Sequence, residues 1–308
     1  MLKTEKISCP ICNSKSFCHI LTTKDFRCSN FKDEFKLVKC KKCGVFYVNP
    51  RPVESEIYKF YPENYYSSKI FWGVGNYLIE KITRIYRKRA ADLVLKYKKR
   101  GLLLDIGCGT GDFLFEMKKR GFRVVGNDVS AVACKLARKK GLRVINKKIE
   151  ECGFSRESFD IITLWHVLEH LHYPRKALKT INKLLKTKGI LVIEVPNIES
   201  ISFKFFGKYF FHLDIPRHLF HWSYSTLSYL LELEGFEILE YKYLKFNSLL
   251  SLFRSFSRFL EEKSQNILIR KIAIVFSMPL LFFLTMFRFF LPSRKSDILR
   301  IVARKIKI

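Results

Sequence analysis

Two pairs of cysteines near the start of the chain have the spacing of metal ligands. Cys9 and Cys12 form one CxxC pair, and Cys40 and Cys43 form the second, directly before Gly44. Each pair can present two thiolates from one tight turn, and two such turns make the tetrahedral four-sulfur site that suits zinc. A site closed by four cysteines leaves no open position for a substrate, so the predicted role of this zinc is structural.

A glycine-rich segment in the middle of the chain is the second group of residues that could do chemistry. Gly107, Gly109 and Gly111 follow Asp105, which ends a short apolar run. Asp105 would repel a pyrophosphate and favours a cation such as an ammonium group. Asp128, at the end of the next predicted strand, can accept hydrogen bonds from both hydroxyls of a ribose. A nucleoside that carries an amino acid instead of phosphates satisfies both carboxylates, and S-adenosylmethionine is such a molecule.

Histidines and a glutamate further along the chain are candidates for proton transfer. His166, Glu169 and His170 follow the fourth predicted strand, and their spacing would place them on one side of a helical turn. His218 and His221 form a second group. A hydroxyl that accepts a methyl group needs a base to take its proton, and we rank His218 and His166 first for this role. The alternative for each histidine is a structural hydrogen bond.

Alternating strands and helices must position these residues. Apolar runs predict parallel strands at 102–104, 122–126, 142–145, 159–164 and 190–195. The helices between them are expected to end at glycines (Gly121, Gly141 and Gly189), where a left-handed residue can close a helix. The alternation predicts a doubly wound α/β fold that binds its ligand at the carboxyl ends of the strands.

Five segments resemble, in the same order, the class I S-adenosylmethionine-dependent methyltransferases. They are DIGCGTG (105–111), VVGND (124–128), SFDIITLWHVLEHL (158–171), LLKTKGILVIEVPN (184–197) and IPRHLFHWSYSTLSYLLELEGFEILE (215–240). The resemblance covers nearly the whole chain and is strongest with bacterial and archaeal members that carry an N-terminal CxxC…CxxC zinc ribbon and often accompany glycan or cell-envelope genes. It implies a Rossmann-like sheet of seven strands whose last strand, at 299–305, runs antiparallel.

The resemblance also implies which residues bind the cofactor. Many relatives have an acidic residue after the third strand that contacts adenine, but here the matching segment reads KKIE (147–150). Adenine recognition is therefore expected from the backbone and apolar contact near Ile149, or from Glu150. The full set of expected cofactor-binding residues is Asp105, Gly107, Cys108, Gly109, Gly111, Asp128, Val129, Ile149 and Trp165.

On the acceptor side, the stretch around His166 resembles ubiquinone-type O-methyltransferases. Those enzymes have Glu at the position of His166, followed by the same Glu-His pair, and a divalent cation is implicated there. Because His166 replaces that glutamate, we do not predict a metal beside Glu169 and His170. The resemblance places His218 and His221 above the same cleft. The fourth strand is not followed by the Asn/Asp-Pro-Pro-aromatic turn of many N-methyltransferases, which leaves methylation of oxygen or carbon.

An insertion of about 50 residues separates the sixth predicted strand (236–243) from the seventh (299–305). Residues 272–287 are uncharged, contain Pro279 and have basic residues on both sides. A spanning helix needs about 20 apolar residues, and both ends of the insertion return to one sheet, so we expect a re-entrant hairpin or an in-plane helix at a lipid surface. Segments 249–260 and 201–211 add aromatic and basic residues. A buried helical hairpin or a dimer interface is the alternative.

Composition limits the context of the chain. Lys and Arg number 57 against 28 Asp and Glu, a net charge of +29, and 48% of the 308 residues are apolar. The chain can therefore bury a core, and its charge fits an anionic partner or a simply basic surface. Residues 1–10 lack the apolar run of a secretory signal, and nine cysteines are too few for a disulfide scaffold. We expect the cytoplasm and attachment to the inner face of the membrane.

Together these features predict a membrane-associated methyltransferase acting on oxygen or carbon of a lipid-linked, glycan or other amphipathic acceptor. One alternative is an rRNA or tRNA methyltransferase, which the charge would suit but which does not require the long uncharged run. The other is a scaffold that binds S-adenosylmethionine without turnover and would not need Asp105 and Asp128. Nucleic acid is thus not the expected partner.

The expected domains are a zinc ribbon (1–50), a linker and covering helix (51–100), the cofactor-binding core (101–247), the membrane-docking insertion (248–297) and the final strand (298–308).

Overall fold

The computed structural model describes most of the chain: residues 2–27, 33–61, 76–244, 248–264, 266 and 296–306. The uncharged run at 272–287 lies outside the described residues, and so does the start of the predicted covering helix at 71–75. Among the helices in the described ranges, none is both long and apolar enough to cross a bilayer.

The start of the chain forms two small antiparallel sheets. The strands are β1 (Thr4–Glu5), β2 (Phe17–Lys24), β3 (Glu34–Cys40), β4 (Phe46–Val48) and β5 (Arg51–Pro52). β2, β3 and β4 are neighbours in one sheet, and β1 pairs with β5 in the other. A 3-10 turn (Glu54–Phe60) follows. We refer to residues 4–60 as the N-terminal module.

The rest of the chain builds the predicted sheet and its helices. The elements are α1 (Asn76–Tyr97), β6 (Leu102–Ile106), α2 (Asp112–Lys119), β7 (Arg123–Asn127), α3 (Ala131–Lys139), β8 (Val144–Ile145), β9 (Phe159–Trp165), α4 (Pro174–Leu184), β10 (Leu185–Pro196), α5 (Ile201–Phe206), β11 (Phe220–His221), α6 (Tyr224–Leu233), β12 (Phe236–Leu244), α7 (Ser248–Lys263) and β13 (Ile298–Lys305).

Seven strands lie in the order β12-β13-β10-β9-β6-β7-β8. The pairs from β10 to β8 are parallel, whereas β13 runs antiparallel to both β10 and β12. Ile161, Ile162, Leu191 and Val192 are fully buried, as expected for central parallel strands that are covered on both faces. The predicted α/β class, with seven strands and an antiparallel last strand, is confirmed.

Two of the three predicted helix-closing glycines are left-handed. Gly121 and Gly141 have φ of 87° and 71°, but Gly189 lies within β10, and Lys188 is the residue with positive φ (60°). The expectation for Gly189 was wrong because α4 passes directly into β10 at its last residue. Glycine is needed there for space, since a Cβ would lie 2.8 Å from the carbonyl oxygen of Lys186.

The covering helix α1 turns a different face to the core than its sequence pattern indicates. In the sequence, Ile79, Ile82 and Ile85/Tyr86 have helical spacing, which predicts that they face one way. The side chains of Ile82 and Ile85 are 42% and 40% exposed, whereas that of Tyr86 is half-buried. The side chain of Ile79 lies outside the description. Ala90 and Ala91 are buried instead, because small side chains let the C-terminal half of α1 lie close to α2.

The N-terminal module shares a sheet with the remainder of the protein. β11 pairs with β4, with Phe220 opposite Tyr47 and His221 opposite Phe46. The amide of Val48 also donates to the carbonyl oxygen of Leu219 at 3.0 Å. The order of this sheet is therefore β11-β4-β3-β2, and a late segment of the chain completes it.

The region predicted to meet a membrane is partly internal. The segment 201–211 contains α5 rather than only a loop, and α7, which covers most of 249–260, packs on α5 and on the turn Phe211–Leu213. Arg258, one of the basic residues of segment 249–260, is 7% exposed. Its guanidinium donates to the carbonyl oxygens of Phe210 (3.0 Å) and Phe211 (2.9 Å). Arg258 therefore satisfies backbone groups inside the protein.

Candidate active site

The loop between β6 and α2 requires glycine for conformation and for space. Gly107, Gly109 and Gly111 have φ of 65°, 53° and 75°, a left-handed backbone in which other residues are strained. A Cβ on Gly107 would lie 2.5 Å from Val167 Cγ2, and one on Gly111 would lie 2.5 Å from Leu142 Cδ1. A Cβ on Gly109 would have no such atom within 4 Å. The loop is thus packed at both ends and open in its middle.

Asp105 is a buried carboxyl at the end of β6. It is 2% exposed, and its Oδ1 accepts a hydrogen bond from Thr163 Oγ1 at 2.6 Å. Burial raises the pKa of Asp105 to about 8 in spite of that bond, and the charge of Asp128 adds to the rise. A cation bound beside this carboxyl would offset the cost of ionising it. The surroundings of Asp105 therefore fit the prediction that this carboxylate binds an ammonium group.

Asp128, at the end of the neighbouring strand β7, is held by two backbone amides. Its Oδ2 accepts from the N–H of Gly109 at 2.9 Å and its Oδ1 from the N–H of Ser130 at 2.8 Å. Burial nevertheless raises its pKa. The glycine loop therefore fixes the orientation of this carboxylate, whose remaining lone pairs can accept from ribose hydroxyls. Asp105, Asp128 and the loop 107–111 are called the cofactor side below.

The other predicted cofactor residues occupy different surroundings. Val129 is 69% exposed directly after Asp128, and Trp165 is half-buried at the end of β9. Cys108 and Ile149 are only 8% and 5% exposed, so both side chains belong to the core. For adenine recognition, the structure thus gives the side chain of Ile149 little free surface and favours the backbone there or the half-buried Glu150.

His166 lies between two buried carboxylates. Its Nδ1 is 3.4 Å from Glu169 Oε1, and its Nε2 is 3.2 Å from Glu194 Oε1. Burial opposes a charge on the ring, but the two carboxylates outweigh it and raise the pKa of His166 to about 10. The ring is 37% exposed, so solvent screens part of this effect. A histidine that already carries its proton is a poor base, which argues against His166 in that role.

The helical turn predicted after β9 contains Glu169 and His170 but not His166. His166 has a φ of 56°, and Leu168–His170 forms a single 3-10 turn. The side chains of His166 and Glu169 still lie close together, because the left-handed backbone of His166 changes the direction of the chain before the 3-10 turn begins. Glu169 is fully buried and faces His166, while the ring of His170 lies 4.6 Å from that of His218.

His218 is better placed than His166 to accept a proton. Its Nδ1 lies 2.8 Å from the carbonyl oxygen of His212, which can only accept, so Nδ1 carries the hydrogen and Nε2 keeps a lone pair. Burial and the neighbouring His170 hold the pKa of His218 well below its usual range. His221 is 2% exposed, burial lowers its pKa to about 3, and it resembles a core histidine.

The sequence reasoning missed three polar residues beneath this site. Glu194, near the end of β10, is 1% exposed and accepts from Arg300 Nε on β13 at 2.6 Å and from the hydroxyl of Tyr86 on α1. The guanidinium of Arg300 lies 5.3 Å from the ring centroid of Trp165. An acidic residue inside an apolar run was a signal for Glu194. The other two come from distant segments without a motif.

A buried ion network ties this region to the N-terminal module. Arg217 is 1% exposed, and its Nη1 and Nη2 donate to the two carboxylate oxygens of Asp25 at 2.8 and 2.5 Å. Nη2 also donates to Asp214 Oδ1 at 3.1 Å. Burial would raise the pKa of Asp214, but the charges of Arg217 and Arg27 outweigh it and hold that pKa far below its usual range. The module therefore fixes the segment that carries His218.

The four predicted zinc ligands come together at one point. Sγ of Cys9 is 3.5 Å from Sγ of Cys43, Sγ of Cys12 is 3.5 Å from Sγ of Cys40, and one sulfur from each lies within 4.8 Å of the others. No described cysteine forms a disulfide. In a tetrahedral site with Zn–S bonds of about 2.3 Å, the sulfurs are about 3.8 Å apart. The donor set and its spacing therefore fit zinc.

The fold and the paired carboxylates at its glycine loop define a Rossmann-like methyltransferase domain. A sequence model of the family described as "Methyltransferase domain" matches residues 78–241. The match covers more than half of the chain, and the protein belongs to this family. The predicted class is thereby confirmed, whereas membership of a zinc-ribbon subgroup stays a prediction.

Curated relatives match less than half of the chain. The ubiquinone biosynthesis O-methyltransferase of Pelagibacter ubique is 34% identical over 134 residues, which are 42% of this chain and 55% of that protein. An uncharacterized protein of Methanocaldococcus jannaschii is 32% identical over 126 residues, 40% of this chain and 57% of that protein. The chain thus spans somewhat more than half the length of these relatives.

Solved structures share the fold at lower identity. An S-adenosylmethionine-dependent methyltransferase from Archaeoglobus fulgidus has a TM-score of 0.50 and 20% identity, covering 75% of this chain and 100% of that one. A putative sarcosine dimethylglycine methyltransferase from Galdieria sulphuraria has a TM-score of 0.50 and 15% identity, covering 73% and 85%. At these identities the likeness supports the fold alone.

Proposed function

We propose that this protein transfers the methyl group of S-adenosylmethionine to an oxygen or carbon of a lipid-linked, glycan or other amphipathic acceptor at the cytosolic face of the membrane. The observation that carries the transfer is the pair of buried carboxylates, Asp105 and Asp128, at the ends of adjacent parallel strands around the glycine loop. Asp105 would hold the ammonium group of the cofactor, and Asp128 would hold the ribose hydroxyls.

The residues opposite the cofactor side supply proton transfer and positioning. Bound S-adenosylmethionine supplies an electrophilic methyl group, whose bond to sulfur breaks as its bond to the acceptor oxygen forms. His218 takes the proton of the acceptor hydroxyl at Nε2, the nitrogen left free by the hydrogen bond from Nδ1 to His212. Holding the acceptor oxygen in line with the methyl group supplies much of the rate.

Oxygen is the favoured acceptor atom, and an amphipathic acceptor fits the surroundings. Several matched relatives carry the name ubiquinone biosynthesis O-methyltransferase. Phe205 on α5 is 79% exposed beside the exposed Lys204. The same segment continues to His212, whose ring is stacked 6.5 Å from that of His166. An aromatic and basic surface therefore leads to the acceptor residues.

The transfer itself is tested with a methyl-labelled cofactor. Full-length protein is incubated with labelled S-adenosylmethionine and with separated lipid, glycan and RNA fractions of the source cells. We expect label in the lipid or lipid-linked glycan fraction, and much less label with Asp128→Ala at a limiting concentration of the cofactor. Label confined to RNA would replace the proposed acceptor by the RNA alternative. Label in no fraction would contradict the proposed activity.

Membrane attachment is tested by flotation of the full-length protein with anionic liposomes. Apolar contact and flanking cations act together in stable attachment, so we expect flotation that resists a high-salt wash. Phe205→Ser should reduce the floated fraction, while Tyr229→Ser, which changes a 45% exposed side chain on α6, should not. A protein that stays at the bottom of the gradient would contradict the membrane part of the proposal.

We further propose that the four cysteines hold one structural zinc ion. Metal analysis of the purified protein should give about one equivalent at this site, and Cys40→Ser should lose it. Exposed His19 provides the control, since His19→Ala leaves the four sulfurs in place. A full equivalent of thiolate-bound zinc in Cys40→Ser would place the ligands elsewhere.

A further inference from the structure

Three guanidinium groups surround the ring of Phe211. The guanidinium carbons of Arg27, Arg254 and Arg258 lie 5.6, 5.4 and 5.2 Å from the centroid of that ring. Arg254 and Arg258 are one turn apart on α7, and like charges at that spacing destabilise a helix. Arg27 comes from the N-terminal module, shortly after β2. Two distant parts of the chain therefore bring positive charge to one place, and we call these three residues the arginine cluster.

Two buried carboxylates, Asp25 and Asp214, lie next to the arginine cluster without balancing its charge. Arg217 donates to both oxygens of Asp25 and also to Asp214. Oδ1 of Asp214 is at the same time 2.8 and 3.5 Å from guanidinium nitrogens of the cluster. Exposed Glu261 adds one more negative charge near it. These three carboxylates face four guanidinium groups, so positive charge is in excess among the described residues of this region.

The pKa values within the cluster agree with an excess of positive charge. Burial and the charge of Arg27 lower the pKa of Arg254. Burial also lowers the pKa of Arg258 to about 10, and the charges of Arg27 and Arg217 add to this fall against the effect of Asp214. Charges of one sign that are removed from water are costly unless an opposite charge compensates for them. A bound anion would therefore stabilise the charged cluster.

The arginine cluster lies beside the acceptor side. The ring of Phe211 is 5.0 Å from that of His212, whose carbonyl oxygen accepts the hydrogen bond that orients His218. The side chain of Arg27 is 34% exposed and Arg254 is half-buried, so the cluster can be reached from solvent. An anion bound by these two arginines would lie near the base of the proposed reaction.

We propose that the arginine cluster binds a phosphate or pyrophosphate group of the methyl acceptor. A guanidinium presents its donors in a plane that matches two oxygens of a phosphate, which a lysine ammonium cannot do. Arg27 and Arg254 would contact the anion, and the buried Arg258 would add its charge. The inference rests on the proposed function and narrows its acceptor to a lipid-linked molecule whose linkage contains phosphate.

Inorganic pyrophosphate is the first probe, and it is titrated into the full-length protein by calorimetry at physiological ionic strength. We expect one saturable site. Arg27→Gln and Arg254→Gln should each weaken binding by about 10-fold or more, the scale of a lost hydrogen bond between charged groups. Arg84→Gln removes the same charge from an exposed position on α1 and should bind normally. Retained binding of S-adenosylmethionine shows that each variant is folded.

Three results of this titration would overturn the proposal. They are the absence of saturable binding, an unchanged affinity in both cluster variants, and an equal loss of affinity in Arg84→Gln. Displacement of the bound pyrophosphate by an RNA oligonucleotide at a lower concentration than by a long-chain alkyl pyrophosphate would also overturn it, and would assign the cluster to RNA.

Vesicles distinguish a lipid-linked phosphate from a soluble one. Phosphatidylcholine vesicles that contain a long-chain alkyl pyrophosphate should float more of the unmodified protein than vesicles of phosphatidylcholine alone. Arg254→Gln should lose this gain, whereas Arg84→Gln should keep it. Equal flotation of the unmodified protein with both kinds of vesicle would assign the cluster to soluble phosphate esters and overturn the lipid-linked part of the proposal.

These binding measurements require no methyl transfer, so a failure can be assigned to one proposal or the other. Saturable pyrophosphate binding that both cluster variants weaken, without any labelled product, would count against the proposed function only. Normal methyl transfer together with pyrophosphate binding that neither variant weakens would count against the arginine cluster only.

Discussion

The cofactor side and the acceptor side of this protein are assembled in different ways. The cofactor side comes from one short stretch, Asp105 to Asp128, and the amides that hold Asp128 belong to Gly109 within that stretch and to Ser130 just after it. The acceptor side is built from segments far apart in the chain, namely Asp25, Tyr86, His166–His170, Glu194, Asp214–His218 and Arg300. A local site can be recognised from one motif, whereas a composite site depends on the whole fold.

The largest expected effect is a loss of stability in Arg217→Ala, a variant that tests whether the acceptor side depends on the N-terminal module. Arg217→Ala leaves the carboxylates of Asp25 and Asp214 buried without their cation, and breaking a buried pair in this way costs about 3–5 kcal/mol. Urea unfolding should show that loss. Arg304→Ala, which breaks an exposed pair with Glu237, should cost at most about 1 kcal/mol. Equal losses in both variants would mean that Arg217 does not couple the two regions.

The sequence predicted the strands and the glycine loop of the cofactor side far better than the contacts of the acceptor side, for physical reasons. Apolar runs between turns indicate buried parallel strands, and glycine reports directly on backbone conformation at Gly107 and Gly109. Ion pairing between distant segments leaves no local pattern, so Arg217 with Asp25 was not predicted. The hydrogen bonds from the Arg258 guanidinium to the carbonyl oxygens of Phe210 and Phe211 leave no local pattern either.

A second variant separates chemistry from cofactor binding. His218→Ala should lower turnover by about 10²-fold or more, because general base catalysis contributes at least that much. Its affinity for S-adenosylmethionine should stay nearly unchanged, since His218 is not part of the cofactor side. Steady-state kinetics and calorimetry measure the two quantities, with His19→Ala as the control. Normal turnover in His218→Ala would mean that positioning alone drives the reaction.

On the cofactor side, a single carboxylate should account for a large part of the binding. Asp128→Ala should weaken S-adenosylmethionine binding by about 1.5–3 kcal/mol, the scale of a lost hydrogen bond to a charged group. Isothermal titration calorimetry gives the affinity directly. Asp92→Ala changes an exposed carboxylate on α1 (63% exposed) and should bind normally. An unchanged affinity in Asp128→Ala would remove Asp128 from the site.

A pH dependence is also expected for the cofactor-free protein. The folded-state pKa of Asp105 is raised to about 8 from an ordinary value of 3.8. The folded state therefore holds this proton more tightly than the unfolded chain, and stability falls as the pH rises from about 4 to about 8. Asp105→Asn removes this loss while keeping an acceptor for Thr163. Its melting temperature should exceed that of the unmodified protein by a few degrees at pH 8 and by less at pH 5.

Parallel melting curves for Asp105→Asn and the unmodified protein across this range would contradict the raised pKa. The same carboxyl predicts that binding of the cationic cofactor below pH 8 releases a proton. Calorimetry in buffers with different heats of ionisation detects such a release, and Asp105→Asn should abolish it.

The pairing of β11 with β4 has a consequence for the order in which the protein is made. The ribosome completes residues 46–48 when more than half of the chain, up to Phe220 and His221, is still to be synthesised. At about 5–20 residues per second, this takes roughly 10–30 s. During that interval the edge of β4 lacks its partner, and exposed strand edges invite pairing with other chains. β4 is only three residues long, which limits this hazard during translation.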